Sequence, residues 1–464
     1  MVLLLSTYDL GRQPFGLASP TAWLRRAGVE VAAADLSRQP LDPDVVARAS
    51  LVALYLPMHT ATRLALPVIR RLRAINPHVE LCAYGLYAPL NAELLHESGV
   101  DYVLGPEFEA DLVRLASGGD ISGSGRVVDT GPAAGYRPHE LAAASRLPRL
   151  QFIAPDRDGL PPPDQYATLQ LPDGTHRLAG ATDATRGCKH RCRHCPIVPV
   201  YDGQFRVVPV EVVMADIRSQ VARGVQHVTF ADPDFLNGPA HARRIVEALH
   251  DEWPTLSYDV TIKVEHLLRH RDLLPRLART SCLFVTSAVE SVDDGVLERL
   301  EKGHTRADFI EVVHTCRDAG LTLAPTFVAF TPWTTLEGYR DLLDVVEELD
   351  LVGHVAPVQW GIRLLVTWRS RLLELPDVAT LVSAFDPRTL TYPWRHPDPR
   401  VDDLQTAIMA EVGVGPSRSR REVFDAVRDH VRGAGAHDVA PARFNHPPLA
   451  SRATIPYLNE PWYC

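Results

Sequence analysis

Short apolar runs alternate with helix-length amphipathic stretches in two separate parts of the chain. In residues 1–118, five apolar runs of strand length are separated by segments with apolar residues at helical spacing. The same alternation returns in residues 178–375, where six strand–helix units follow one another. Alternating strands and helices are typical of parallel α/β sheets, which bind ligands at the carboxyl ends of their strands. The pattern therefore predicts a doubly wound parallel sheet followed by a partial TIM-like (β/α)6 barrel.

Two further segments lack this alternation. Residues 119–177 are rich in small residues and proline, and we predict that they form a linker between the two domains. Residues 376–464 show weaker periodicity and are predicted to form a small C-terminal extension with a tail. A chain of 464 residues with 46% hydrophobic and 23% charged residues is ordinary for a globular protein of two to four domains.

Charge and composition limit the expected partners. The net charge of −9 argues against binding to a nucleic-acid backbone. The sequence contains no apolar run of about 18 residues, so no membrane-spanning helix is predicted. Only seven cysteines are present and three of them are clustered, which argues for a reducing cytoplasm and against a disulfide scaffold.

The clustered cysteines are Cys188, Cys192 and Cys195, which give a C-x3-C-x2-C motif. Three thiolates are one fewer than a structural zinc site or an ordinary ferredoxin cluster takes from the protein. A four-iron cluster held by three thiolates keeps one iron open for another molecule. The alternative is a zinc knuckle or other non-catalytic metal-binding module, in which His190 or His194 completes the ligand set.

This cysteine spacing resembles that of the radical S-adenosylmethionine (SAM) superfamily. The resemblance implies a 4Fe-4S cluster whose open iron chelates the methionine part of SAM. It also implies cleavage of SAM to a 5′-deoxyadenosyl radical after reduction by a flavodoxin or a ferredoxin-like electron donor. His194 stands just before the third cysteine, where the family usually carries an aromatic residue against the adenine of SAM. We therefore expect His194 to contact SAM.

The resemblance extends to polar residues at the ends of successive barrel strands. Asp232 stands where the family binds the ammonium group of SAM, and Lys263 follows the next strand. Ser287 and Glu290 belong to a segment similar to the family's Gly-x-Glu-Ser, with alanine in place of the glycine. All four are expected to bind SAM, and Glu290 and Arg363 are candidate catalytic residues. Arg363, at the end of the sixth strand, pairs either with a substrate carboxylate or phosphate or with the C-terminal region.

The first domain resembles the cobalamin-binding Rossmann-like domain that precedes the barrel in many radical SAM enzymes. The candidate cobalamin contacts are Ser6, Thr7 and Gly11 after the first strand, and Gly85 and Tyr87 after the fourth. The Asp-x-His-x-x-Gly motif that supplies a cobalt-ligating histidine elsewhere is missing, as it commonly is in this subfamily. The alternative is a Rossmann-like domain without a cofactor.

The chain ends in an aromatic, proline-punctuated segment whose last residue is Cys464. This ending resembles radical SAM proteins whose tail reads Cys-Sec-Ala-Glu-Pro or Cys-Cys-Ala-Glu-Pro, and implies that the sequence stops at a selenocysteine codon. An ordinary chain end is the alternative. Cys464 is the third candidate catalytic residue, as a redox-active thiol or a ligand for arsenic or selenium. The tail is expected to fold over the barrel mouth with Trp462 buried.

These features together predict a cytoplasmic radical SAM enzyme, a methyltransferase or other group transferase, that uses cobalamin to methylate a small molecule or biosynthetic intermediate. Two alternatives stay open. One is a cobalamin-independent radical SAM enzyme that catalyses a rearrangement or transfers a group to a thiophilic arsenic, selenium or sulfur acceptor. The other is the non-catalytic zinc or iron–sulfur module.

Overall fold

The computed structural model describes residues 1–119, 150–413, 418–434 and 453–460. Most of the glycine- and serine-rich part of the predicted linker falls outside these ranges, and so do Trp462 and Cys464, so the expectations for the end of the tail remain predictions. Among the described helices, none is both long and apolar enough to cross a membrane.

The N-terminal domain is built on a five-stranded parallel sheet with strand order β2-β1-β3-β4-β5. This order reverses direction between β1 and β3, and open α/β sheets bind ligands at the carboxyl ends of their strands at such a point. The strands are β1 (Val2–Ser6), β2 (Val31–Asp35), β3 (Leu51–Tyr55), β4 (Glu80–Tyr84) and β5 (Tyr102–Val103). The helices are α1 (Phe15–Arg26), α2 (Pro43–Arg48), α3 (His59–Ile75), α4 (Ala92–Glu97) and α5 (Glu109–Ala116). The predicted doubly wound sheet is confirmed.

The second domain contains a curved seven-stranded sheet with the order β13-β12-β11-β10-β7-β6-β14. Strands β7 and β10 to β13 are parallel to one another, whereas β6 and β14 add antiparallel strands at one edge. A separate antiparallel pair, β8 with β9, projects from the carboxyl end of β7. The strands are β6 (Thr168–Gln170), β7 (His176–Thr182), β8 (Thr185–Gly187), β9 (Phe205–Val207), β10 (His227–Phe230), β11 (Ser257–Thr261), β12 (Cys282–Glu290), β13 (Leu323–Phe327) and β14 (Tyr457–Leu458).

Helices cover the outer face of this sheet, and the largest group of buried apolar side chains lies between the helices and the strands. Strands that are buried against helices in this way read as nearly continuous apolar runs, which explains the clear sequence pattern. The helices are α6 (Val198–Tyr201), α7 (Val210–Val221), α8 (Pro239–Glu252), α9 (Val264–Arg269), α10 (Leu274–Arg279), α11 (Asp294–Arg299), α12 (Arg306–Asp318), α13 (Leu336–Glu348), α14 (Pro376–Leu381), α15 (Pro399–Val412) and α16 (Arg420–Ala434). The prediction that this domain is a partial α/β barrel is confirmed.

The prediction of a full sixth barrel strand over residues 358–365 is wrong. Pro357–Trp360 forms a short 3-10 helix, and a single parallel bridge between Phe330 and Arg363 continues the sheet. Proline favours this turn because its ring fixes φ. The side-chain oxygen Oε1 of Gln359 accepts a hydrogen bond from the Phe327 N–H at 3.0 Å, and so satisfies that donor without a sixth strand. The described sheet therefore contains five parallel strands and one bridge.

A buried arginine in the predicted linker joins three parts of the chain. The Arg157 side chain has no exposed surface and pairs with Asp216 on α7, with Nε 2.8 Å from Oδ1. It also donates to Gln13 Oε1 at 2.8 Å in the first domain and to the Ala181 carbonyl at 2.7 Å on β7. The linker therefore fixes the first domain against the barrel through this one guanidinium group.

We expect Arg157→Ala to lower the free energy of unfolding by about 3–5 kcal/mol, because Asp216 becomes an unpaired buried carboxylate. Arg25→Ala is the matched control, since Arg25 pairs with Asp156 but its side chain is 41% exposed. That change should cost less than about 1 kcal/mol. Urea unfolding followed by fluorescence measures both, and equal losses in the two variants would contradict the role of Arg157.

Candidate active site

The cysteine motif lies in the loop that follows β8. The strand ends at Gly187, which has a φ of +79°. A Cβ atom there would lie 2.4 Å from the Tyr201 ring and 2.6 Å from the Gln204 carbonyl oxygen, closer than real Cβ contacts. Only glycine combines this backbone angle with so little space. The chain therefore makes a tight, fixed turn directly into Cys188.

The three cysteines are arranged for a ligand larger than a single ion. Cys192 is buried, while Cys188 and Cys195 are half-buried. Within the described residues, their three sulfur atoms do not form a group within 4.8 Å of one another. A tetrahedral zinc ion would bring its thiolates to about 3.8 Å apart. Within the described residues, the three sulfur atoms therefore do not surround a single zinc ion.

The acidity of these thiols is consistent with that interpretation. Burial raises the pKa of Cys188 to about 11 and that of Cys195 to about 12. Buried thiols of this kind stay protonated near neutral pH unless a bound metal stabilises the thiolate. Binding of a metal cluster would therefore release protons from the site.

The barrel holds the backbone of the cysteine loop at several points. The Lys189 N–H donates to Asn237 Oδ1 at 3.2 Å, and the same Asn237 side chain donates to the Gly187 carbonyl at 3.3 Å. Farther along the loop, the Arg193 N–H donates to the Leu300 carbonyl at 2.9 Å. These contacts come from the turn after β10 and from the end of α11, so the loop position depends on the folded barrel.

Glu290 holds the part of the cysteine loop that contains His194. Its Oε1 atom lies 3.1 Å from His194 Nε2 and 3.3 Å from Lys302 Nζ. Burial alone would raise the pKa of the Glu290 carboxyl, but Lys302 and His194 outweigh it and hold the pKa at about 2. Glu290 also has a φ of +70° and follows an irregularity in the β12–β13 register. A strained backbone of this kind is common where a side chain serves a site.

Two residues predicted from the strand ends, Glu290 and Lys263, are thus brought to the cysteine loop. Glu290 and His194 contact each other, and Lys263 Nζ lies 3.2 Å from Nδ1 of His190. Their predicted contacts with SAM remain predictions. The structure adds Lys302, a buried lysine beside Cys192 and Cys195. The sequence analysis did not single it out as a site residue.

Asp232 and Ser287 do not occupy their predicted places. The Asp232 carboxylate is buried and accepts hydrogen bonds from the Ala184 N–H at 2.9 Å and the Thr185 hydroxyl at 2.5 Å. It therefore holds the start of β8, and at 2% exposure Asp232 offers no open surface to the SAM ammonium group in this structure. Ser287 lies on the same face of β12 as Val285 and Val289, which belong to the core beneath the helices. Side-chain alternation thus turns Ser287 away from the barrel mouth.

Arg363 is also occupied elsewhere. Its Nη1 atom lies 2.7 Å from Asp402 Oδ1, and its guanidinium group stacks 3.5 Å from the centre of the Trp394 ring. Both partners belong to the C-terminal extension. Of the two alternatives for Arg363, the structure supports the salt bridge to that extension, and we do not place Arg363 among the catalytic residues.

A cavity lies between the carboxyl edge of the first sheet and the cysteine loop. Its enclosed volume is about 240 Å³, within about 1030 Å³ of empty space that includes its open mouth. The cavity is lined by Asp9 and Leu10 after β1, by residues 57–58 after β3, by residues 85–86 after β4, and by residues 185–187 of β8. Its position matches the β1/β3 reversal of the strand order.

Of the five predicted cobalamin contacts, Gly85 lines this cavity. Thr7 donates its hydroxyl hydrogen to the Ala61 carbonyl at 2.8 Å, and Ser6 and Tyr87 are buried in the domain. Gly11 lies against the tail, because a Cβ atom there would be 2.4 Å from Glu460 Oε2. Both predicted loops, after β1 and after β4, contribute residues to the cavity lining. Of the five predicted residues, however, only Gly85 is among them.

Arg186 forms the wall between the cavity and the cysteine loop. Its Nη2 atom donates to Glu109 Oε1 at 2.7 Å, and its Nη1 atom lies 3.6 Å from Glu107 Oε2. Tyr201, just past the loop, donates its hydroxyl hydrogen to Glu107 at 2.8 Å. The sequence analysis missed this network, although Arg186 stands only two residues before Cys188.

Comparison with known proteins agrees with this geometry. Residues 183–349 match the model of the Radical SAM superfamily. This range contains the three cysteines and the strand-end residues Lys263 and Glu290. Residues 183–349 therefore form a radical SAM domain and the chain is an enzyme, and this domain implies a 4Fe-4S cluster and SAM as cofactors. Cys188, Cys192 and Cys195 fit the cluster by donor chemistry and spacing.

Two curated relatives are similar over part of the chain. A tRNA-2-methylthio-N(6)-dimethylallyladenosine synthase of Desulfosudis oleivorans is 25% identical over 225 residues, which are 45% of this chain and 47% of the relative. The ribosomal protein uS12 methylthiotransferase RimO of Methylococcus capsulatus is 26% identical over 275 residues, 51% of this chain and 61% of the relative. The matched region thus spans about half the length of these relatives.

Solved structures share the whole two-domain arrangement. The radical SAM methyltransferase TsrM from Kitasatospora setae aligns with a TM-score of 0.62 and 19% identity, over 80% of this chain and 75% of that chain. The cobalamin-dependent SAM radical enzyme OxsB aligns with a TM-score of 0.66 and 13% identity, over 93% and 71% respectively. At these identities the similarity establishes the fold.

We expect Gly187→Ala to reduce iron binding and stability together. Alanine at this position has an unfavourable positive φ and also overlaps with Tyr201 and Gln204. The free energy of unfolding should therefore fall by about 1–3 kcal/mol more than in a variant that has the positive φ but no overlap. Gly28→Ala is the control, because Gly28 has a φ of +74° and open space around its Cβ position. Iron content after reconstitution and urea unfolding measure the difference. Normal iron content in Gly187→Ala would contradict the tight-turn account.

The Arg186 network predicts a pH dependence of stability. Burial raises the pKa of Glu107 to about 7, although Arg186 lowers it, so the folded protein keeps a proton that the unfolded chain releases near pH 4.5. Stability from this group is therefore lost as pH rises from about 4.5 to about 7. Glu107→Gln stays neutral and should gain stability relative to wild type as pH rises from about 4.5 to about 7.

The exposed Glu97→Gln serves as the control for this comparison and should show no such trend. Urea unfolding across the same pH range measures the difference for both variants. A difference between Glu107→Gln and wild type that does not change with pH would refute the assignment.

Proposed function

We propose that this protein is a cobalamin-dependent radical SAM enzyme that transfers a methyl group to a small molecule. The observation that carries the proposal is the cavity between the two domains. Its wall is formed by Thr185, Arg186 and Gly187, and the next residue is the first cysteine of the cluster motif. A ligand in the cavity would therefore lie beside the cluster and SAM.

Several features of the cavity support cobalamin as its ligand. The cavity lies at the carboxyl edge of a Rossmann-like sheet, and Gly85, with a φ of +105°, exposes backbone there. A Cβ atom at Gly85 would lie 3.0 Å from the Leu56 carbonyl oxygen, so this position has little room for a side chain. No histidine is among the described residues that line the cavity. We infer that cobalamin binds without a histidine ligand to cobalt.

TsrM was solved with cobalamin and a 4Fe-4S cluster bound, and OxsB with aqua-cobalamin. Their shared fold with this chain favours the same pairing of cofactors. The bound cofactors would supply radical formation and methyl transfer, which protein side chains cannot perform. A small-molecule substrate, a flavodoxin or ferredoxin-like electron donor and a cytoplasmic location complete the proposal.

The protein's own residues have three tasks in this scheme. Cys188, Cys192 and Cys195 would hold the cluster, and the Glu290–Lys302 pair keeps the cysteine loop in place and adds a buried positive charge beside its thiolates. The buried Arg186 side chain forms the wall between the cavity and the cysteine loop. Such positioning is what a protein contributes to cofactor chemistry.

Cobalamin binding can be tested by filling the cavity. Leu86→Trp adds bulk to the lining without forcing a new residue into a positive φ, whereas a substitution at Gly85 would also strain the backbone. After anaerobic reconstitution with hydroxocobalamin and desalting, wild type should retain corrin absorbance and Leu86→Trp should lose most of it. Leu64→Trp, at a position 46% exposed on α3, is the matched control.

Retention of corrin by wild type and Leu64→Trp alone supports the proposal, provided that all three proteins keep the same iron content. If wild type retains no corrin, the cobalamin-dependent proposal fails. Group transfer from SAM without cobalamin then becomes the proposed function, in line with the methylthiotransferase relatives.

The cluster assignment makes a separate prediction. Cys192→Ala should abolish formation of 5′-deoxyadenosine under dithionite, because a cluster with an open iron cannot lose one of three ligands. Cys316→Ala removes a buried cysteine of the barrel core and should retain this activity, with a stability loss of about 2 kcal/mol at most. Chromatography of the reaction mixture measures the product. Wild-type product levels from Cys192→Ala would refute the cluster assignment.

A further inference from the structure

A second cluster of metal-binding side chains lies beside the cysteine loop. His190 belongs to the loop itself, Asp234 follows β10, and His266 lies on α9. One ligand atom from each of the three lies within 4.8 Å of the others. Asp234 Oδ2 is 2.6 Å from His266 Nδ1 and 3.4 Å from His190 Nε2. Asp234 and His266 are fully buried and His190 is half-buried.

Two atoms of this cluster lack hydrogen-bond partners. Asp234 Oδ2 and His266 Nδ1 are buried, and neither makes a hydrogen bond of acceptable geometry to the described residues. Their 2.6 Å contact is close, but it is too bent to be a hydrogen bond. Buried polar atoms without partners cost about 1–3 kcal/mol each. A cation would satisfy both atoms at once when their separation widens from 2.6 Å to the roughly 3.3 Å between two ligands of a tetrahedral zinc ion.

We propose that His190, Asp234 and His266 form a mononuclear site for a divalent cation of the zinc class, separate from the iron–sulfur cluster. Two imidazole nitrogens and one carboxylate oxygen are a common zinc ligand set, with a fourth position left for water or another ligand. The His190 and His266 rings lie 4.6 Å apart, centre to centre. In this site His190 binds through Nε2 and His266 through Nδ1, which lie 3.4 Å and 2.6 Å from Asp234 Oδ2.

Neighbouring charges support metal binding by His190. If Nε2 of His190 binds the ion, Nδ1 carries the proton and needs an acceptor. Glu265 Oε2 lies 3.7 Å from that Nδ1 and also pairs with Lys263 Nζ at 3.3 Å. Glu265 is therefore the carboxylate placed to accept this proton once the ring moves closer by a few tenths of an ångström, while Lys263 balances the charge of Glu265. Carboxylates that orient ligating histidines in this way are frequent at zinc sites.

The competing arrangement contains no metal. In it Lys263 donates to Nδ1 of His190 at 3.2 Å, and His190 donates its Nε2 proton to His266 Nε2 at 3.2 Å. This arrangement leaves the bent contact between His266 and Asp234 unexplained. The two arrangements differ in one measurable quantity, the metal content of the folded enzyme.

The position of the site gives the ion a structural role. His190 lies between Cys188 and Cys192, so an ion bound to it ties the cysteine loop to the ends of β10 and β11. The site would therefore stabilise the loop independently of SAM and cobalamin. Loss of the ion should leave iron binding intact at first and speed the later loss of iron on storage.

The test is a metal count on the reconstituted holoenzyme. Protein that already carries its cluster is mixed anaerobically with one equivalent of ZnCl2, desalted, and analysed for zinc and iron by mass spectrometry. Wild type should hold about one zinc and about four irons per chain. Asp234→Asn, which keeps the side-chain shape, and His266→Gln should each lower zinc at least about tenfold with unchanged iron.

His270→Ala is the matched control, because the His270 ring lies 5.6 Å from that of His266 but is not part of the site. It should keep zinc at the wild-type level. Wild type with about four irons and no zinc would overturn the second site and leave the proposed function untouched. Equal zinc in wild type, Asp234→Asn and His266→Gln would overturn it as well. A loss of iron in wild type would instead contradict the cluster assignment.

Discussion

The arrangement of the two domains depends on buried contacts of arginine, and the Arg186 side chain makes the contact beside the cysteine loop. It lies 2.7 Å from Glu109 and 3.6 Å from Glu107 of the first domain, while its backbone belongs to β8 of the second. Both carboxyl side chains are only 1% exposed. Removing the guanidinium group would leave buried carboxyls without a cation, which is far more costly than losing a surface ion pair. The domain junction is therefore fixed by charge as well as by apolar packing.

The same strand sets the position of the chemistry. The Asp232 carboxylate holds the start of β8. The strand ends at Gly187, where the chain turns into the cysteine loop. Its middle residue, Arg186, lines the cavity of the first domain. A strand of three residues thus links the cavity to the cluster motif. This link explains how two domains with separate hydrophobic cores can serve one reaction.

The sequence was sufficient for features that depend on local pattern. Buried parallel strands produce apolar runs, and the cysteine spacing fixes a ligand set, so the two sheets and the cluster motif were predicted. It was insufficient where a side chain's role depends on a distant partner or on a single step of register. Arg363 pairs with Asp402, and Ser287 faces the helices because strand side chains alternate. The Arg186 network joins residues about eighty positions apart, which no local pattern reveals.

The central claim is that three cysteines hold a cluster with an iron open to SAM. Electron paramagnetic resonance of the reconstituted, dithionite-reduced protein tests this claim most directly, because the spectrum responds to a change in ligands at one iron. The account predicts a reduced-cluster signal whose shape changes when SAM is added. A signal that is identical with and without saturating SAM would contradict the account.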